Sequence, residues 1–229
     1  MLRRLLDRLL DLKTARQPVA LVTDLSSSQQ TLVQPQTQEG EAALPDDVLT
    51  LVRQYLEEGR SGILEENWFT ETHLPPDRLI LIGAVHIAQA IIPMAQMLGY
   101  GVSVIDPRGA FATVERFADV QLLSDWPDDA MRQLDPDRRT AVVALTHDPK
   151  LDDPALTVAL ASPAFYVGAL GSRKTHAGRL ERLAAQGISA EKLARIHGPV
   201  GLPIGAKSQA EIAVSILAQI TAVKRGITA

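Results

Sequence analysis

From Arg78 onward, continuously apolar runs alternate with amphipathic ones, and this alternation constrains the fold more than any other feature. Arg78–Ala84 (RLILIGA), Gly101–Ile105, Val120–Leu123, Thr140–Leu145 (TAVVAL) and Ala164–Leu170 (AFYVGAL) read as strands. Helices are expected over His86–Leu98, Asp128–Leu134, Pro154–Leu160 and Lys174–Ala185. Strands that are apolar throughout need cover on both faces, and intervening helices make successive strands parallel. The expectation is an α/β fold with a Rossmann-like, doubly wound parallel sheet. After it, Ser189 caps a short helix through Ile196, and Gly198–Gly205 forms a rigid glycine- and proline-rich loop. Ser208 and Glu211 then make a capping box that opens a last helix.

His73-Leu74-Pro75-Pro76-Asp77 separates this region from what precedes it, because consecutive prolines favour extended backbone and cannot continue a helix. Residues 1–74 are expected to form a small amino-terminal α+β domain, and residues 78–229 the Rossmann-like domain. In the first, Pro18–Leu25 reads as a strand, Asp46–Glu58 as a helix ended by Gly59, and Gly62–Thr72 as one or two short strands. Residues 26–38, crowded with Ser and Gln, read as a loop or hairpin. The opening MLRRLLDRLLDLK puts Leu2, Leu5, Leu6, Leu9 and Leu10 on one helical stripe. That stripe suits docking on its own chain or on the second copy in a homodimer. With four basic residues beside it, the helix also meets the minimum for lying on a membrane surface.

Composition removes several functional classes. There is no cysteine, hence no disulfide, thiol nucleophile or cysteine-held metal, which fits a reducing cytoplasmic compartment. Lys+Arg 23 against Asp+Glu 27 leaves no general basic field, and aromatics at 4% offer few rings for base stacking, so nucleic acid is not an expected partner. No apolar run is long enough for membrane insertion, and Asp7 and Asp11 interrupt what would be a signal-peptide core.

Candidate chemistry gathers where strands end. Gly83-Ala84-Val85-His86-Ile87-Ala88 occupies the strand-to-helix turn of a dinucleotide fingerprint, and Asp106, with Arg108 beside it, ends the second strand where an acidic residue would hold a ribose. Val85, however, stands where the middle glycine would let backbone approach a pyrophosphate. The fifth strand runs through Gly168 into Gly171, Ser172, Arg173, Lys174 and His176. Basic residues avoid helix amino termini unless something offsets the dipole, so this turn reads as an anion site. His86, His147 (next to Asp148) and His176 each follow a strand and are expected to face one crevice. Lys207 opens the last helix and is placed to reach an anion, although GLPIGAKS fails the P-loop pattern. A phosphate-bearing polar ligand suits this set. NAD or another nucleotide in an oxidoreductase is the alternative, and metal delivery by the three histidines a further one.

GAVHIAQ at 83–89, VIDPRGAFATVERF at 104–117, LTHDPKLDDPAL at 145–156, YVGALGSRKTHAGRL at 166–180 and IHGPVGLPIGAKSQAEIAVSILAQI at 196–220 together resemble the XdhC/CoxI family. The resemblance implies an accessory protein of molybdenum hydroxylases of the xanthine dehydrogenase type. Its role would be a chaperone that binds the molybdenum cofactor (molybdopterin or its dinucleotide form) transiently, protects it during sulfuration and inserts it. The implied partners are an apo molybdenum hydroxylase and a sulfur-donating desulfurase, since a chain without cysteine cannot carry a persulfide. Two departures stand out: Val85 replaces a glycine common in the family, and a Gly-Ser-x-Pro-Arg stretch of longer members is missing, VTDLSSSQQTLV at 22–33 being at best its remnant.

Overall fold

A computed structural model describes residues 3–65, 67–109, 112–113, 115–117 and 120–227. The chain divides into two compact units, Met1–Pro75 and Pro76–Ala229.

In the first unit an antiparallel sheet is built from β1 (Val19–Asp24), β2 (Gln30–Val33), β3 (Gln38–Gly40), β4 (Gly62–Leu64) and β5 (Trp68–His73), in the order β3-β2-β1-β5-β4. Residues 26–38 thus supply the β1–β2 turn and most of a second hairpin. α2 (Asp46–Glu58) ends on Gly59 in the left-handed region, φ 68°, and packs Val48, Val52 and Leu56 on Ala20, Val22 and Val33. α1 (Arg3–Thr14) covers the opposite face, with Leu5, Leu9 and Leu12 against Val19, Leu21 and Leu32. Helices on both sides explain why PVALVTDL is apolar without alternation. The leucine stripe differs from expectation: Leu6 and Leu10 are exposed, and Leu12 takes their place. A flat sheet covers only the i, i+4, i+7 line of a helix, too narrow for five leucines. Leu2 lies outside the described residues.

The second unit carries a six-stranded sheet of β6 (Arg78–Ile82), β7 (Gly101–Ile105), β8 (Gln121–Leu123), β9 (Thr140–Ala144), β10 (Tyr166–Ala169) and β11 (Ile196–His197). All neighbours pair in parallel, in the order β11-β10-β9-β6-β7-β8. That is the 3-2-1-4-5-6 order of a Rossmann sheet, with the switch between β6 and β9. Alternate residues feed opposite layers. Leu79, Leu81, Val102 and Val143 pack with α3 (His86–Met97) and α8 (Gln209–Lys224). Ile80, Ile82, Val142 and Ala144 pack with α4 (Pro127–Leu134), α5 (Pro149–Ala161) and α6 (Arg173–Ala185).

Two boundaries depart from expectation. α5 starts at Pro149 rather than Pro154, because Asp148 caps it by accepting from the Lys150 amide and a proline is tolerated in a first turn. The short helix after Ser189 is α7 (Ala190–Leu193), and Ile196 belongs instead to β11, which pairs with Val167 and Gly168. The capping box at Ser208 and Glu211 is present in full.

Candidate functional site

Parallel strands send all their following turns to one edge, so the β6, β7, β9 and β10 turns assemble there. The turn after β6 is held from behind. Gly83, at φ 110°, donates its amide to the Ile105 carbonyl, and an added Cβ would lie 2.7 Å from the Thr146 methyl. Only glycine lets the β6 and β9 turns approach so closely. The Ala84 amide donates to the Asp106 carboxylate at 2.8 Å.

Asp106 is fully buried. Besides Ala84 it accepts from the Arg108 amide at 3.0 Å, from Arg108 Nε at 2.9 Å and from an Arg108 terminal nitrogen at 2.8 Å. A carboxylate has about four acceptor positions, and here four donors fill them. Burial alone would raise this carboxyl's pKa; the bonds from Arg108 and the Ala84 amide outweigh it and hold the group below the ordinary aspartate value. Asp106 therefore organises the first turn and the Arg108 side chain, which between them fill its acceptor positions. Val85 caps α3 without a side-chain hydrogen bond, and His86 begins the helix exposed.

The turn after β9 is tied down by groups that the sequence reading does not single out. Thr146 donates its hydroxyl to Asp152 at 2.7 Å and accepts from the Asp148 amide at 3.0 Å. His147 between them adopts φ 62° and is exposed. Asp148 serves its own helix as a cap. Asp152 and Arg179 are each 1% exposed, and Arg179 Nη2 reaches Asp152 at 3.5 Å and donates to the Leu170 carbonyl at 2.9 Å. Burial pushes Asp152 above the ordinary aspartate value, despite the Thr146 bond and the Arg179 charge. One buried ion pair thus joins the β9 and β10 turns.

After β10, Ser172 caps α6 by accepting from the Thr175 amide at 3.1 Å. Arg173 and Lys174 follow, both exposed, with no acidic residue in the first turn. Gly168 has a packing role inside β10, where an added Cβ would strike the Tyr166 ring and Val200. His176 is half-buried against Gly198; burial and the charge of Arg179 keep it below the usual histidine value, hence neutral at pH 7. Among the described residues no three His, Asp or Glu side chains gather at metal-binding distance, which leaves His86, His147 and His176 without a shared ion site. The Lys207 side chain is exposed and its amide donates to Glu211, within the capping box rather than the turn network.

These turns all lie in residues 79–220, which match the family model described as the XdhC Rossmann domain. The chain belongs to the XdhC family. It is 33% identical over 158 residues to the molybdenum cofactor insertion chaperone PaoD of Escherichia coli K12, covering 69% of this chain and 43% of PaoD. A probable xanthine dehydrogenase component of Bacillus subtilis is 30% identical over 162 residues, 70% of this XdhC chain and 47% of the relative. The chain therefore spans less than half the length of these curated relatives. A solved structure of a xanthine dehydrogenase from Bacillus halodurans superposes with a TM-score of 0.73 at 26% identity, covering 98% of this chain and 67% of that one. No helix of this XdhC family member is long and apolar enough to cross a membrane, among the described residues.

Arg179 and Asp152 are what sequence reasoning missed. Both fall inside blocks that carry the family resemblance, but a single sequence gives no sign that a helical arginine is buried.

Proposed function

We propose that this chain is a molybdenum cofactor chaperone, binding molybdopterin or its dinucleotide form transiently and delivering it to an apo molybdenum hydroxylase of the xanthine dehydrogenase type. The observation that carries the reading is the likeness to PaoD, whose matched length is that of the Rossmann unit and its turns. The donor set supports it. Two basic side chains, uncapped helix amides and exposed histidines suit a polar, phosphate-bearing ligand, and Arg179 Nε and Nη1 and His176 Nδ1 are buried there without partners among the described residues. His86, His147, Arg173 and Lys174 would touch the ligand; Gly83, Ala84, Asp106, Arg108, Asp148 and Ser172 would shape the turns that hold it. Sulfur for the cofactor would come from a separate desulfurase, because the chain has no cysteine.

The test is pterin and molybdenum analysis of the protein purified from a molybdenum-replete host, followed by transfer to an apo hydroxylase. Copurified pterin that restores hydroxylase activity supports the proposal. Stoichiometric NAD(H) in its place would overturn it in favour of an oxidoreductase.

A further inference from the structure

We propose that the phosphate of the ligand is held by the turn after β10, with buried Arg179 beneath it, and not by the first turn where a Rossmann sheet usually places one. The proposal rests on the reading that a phosphate-bearing ligand occupies this edge, and it assigns the part of the edge that takes the charged group.

The first turn offers an anion less. Its Gly83 and Ala84 amides are bonded inward, to Ile105 and Asp106, and the Asp106 carboxylate sits directly behind it. Val85 adds a β-branched side chain where backbone would have to approach. The turn after β10 is arranged the other way. Among the described residues nothing accepts from the amides of Gly171, Arg173 and Lys174, as expected for the first turn of a helix whose cap serves only Thr175. Two cations stand on the positive end of the α6 dipole, where they repel it and each other unless an anion lies between.

Arg179 supplies the independent observation. Its side chain runs back along α6, as long helical side chains do, until Nη2 meets the Leu170 carbonyl two residues before the cap. The guanidinium therefore lies under the amino-terminal turn. It is 1% exposed, its one carboxylate partner is 3.5 Å away, and Nε and Nη1 have no partner among the described residues. A buried cation so weakly matched leaves positive potential at the turn, and a phosphate there completes the balance.

The experiment is a proton–nitrogen NMR titration of the full chain with inorganic phosphate and, separately, inorganic pyrophosphate. The expected result is movement of the Gly171, Arg173 and Lys174 amides together with the Arg179 Nε–H resonance, and roughly tenfold weaker binding in the Arg173→Ala, Lys174→Ala double variant. Shifts confined to Val85–Ala88, an unmoved Arg179 resonance, or unchanged affinity in the double variant each overturn the proposal. Cofactor retention by a chain that gives no response at α6 would overturn this assignment and leave the chaperone reading standing. A response at α6 without cofactor retention would do the opposite.

Discussion

The turns after β6 and β10 stand at the same edge of one sheet, each between a buried strand and a long helix, yet they direct their polar groups oppositely. After β6 the Gly83 and Ala84 amides bond inward, to the next strand and to a buried carboxylate. After β10 nothing among the described residues accepts from the Gly171, Arg173 and Lys174 amides, both basic side chains are exposed, and behind them lies Arg179, paired with Asp152 at 3.5 Å. Two turns at equivalent places in a Rossmann sheet thus differ in the groups buried behind them, a carboxylate held by Arg108 in one and an arginine facing Asp152 at 3.5 Å in the other.

Removing the buried charges breaks this comparison most severely. Asp152→Ala is expected to cost about 3–5 kcal/mol in chemical denaturation, because Arg179 loses its one carboxylate partner among the described residues while remaining desolvated. A loss below about 1 kcal/mol would mean that the pair does not hold the β9 and β10 turns together. Asp106→Ala should cost slightly less, about 2–4 kcal/mol, since Arg108 is partly exposed and finds water. If Asp106 instead served a ribose, the same change would weaken dinucleotide binding and leave stability alone.

Acid titration sharpens the contrast. Asp106 is held below the ordinary aspartate value, so it contributes stability at neutral pH that is lost as pH falls through its lowered folded value. Asp152 is raised, so its charged form is a cost at neutral pH, relieved as pH falls through its folded value. Carboxyl-carbon NMR should show Asp152 protonating first on acidification; the reverse order would contradict the network. Smaller still, Arg173→Ala with Lys174→Ala should move stability by no more than about 0.5 kcal/mol, as both are exposed. A melt shifted well beyond that would make the pair structural rather than ligand-facing. Last, Val85→Gly should change dinucleotide affinity by less than about threefold, or under roughly 0.7 kcal/mol, because the Ala84 amide stays bonded to Asp106. A larger gain by calorimetry would show that the side chain alone closes the first turn.

The elements most legible in the sequence are those with local punctuation. Pro45 and Gly59 bracket α2, and Ser208 with Glu211 starts α8. The parallel sheet follows from apolar strands alternating with helices. What escaped depends on tertiary context. Two residues, Ile196 and His197, become a strand only because β10 offers them a free edge. Pro154 looks like a helix start but lies inside α5, whose cap is Asp148. For the candidate site, the turns could be located by counting from strand ends, and Asp106 with them. The donors that fill Asp106, and the burial of Arg179, arise from chain segments that meet only in the fold.

The outermost strands carry a consequence for how another protein meets this one. β11 has two residues and β8 three, so each side of the six-stranded sheet presents only a brief row of main-chain groups. A visiting peptide that tried to extend the sheet would find too few hydrogen bonds for a lasting register, and the same economy shields this sheet from edge-to-edge self-association. Any protein that docks on this unit has helix surfaces and turns to read, where side chains rather than backbone set the choice of partner.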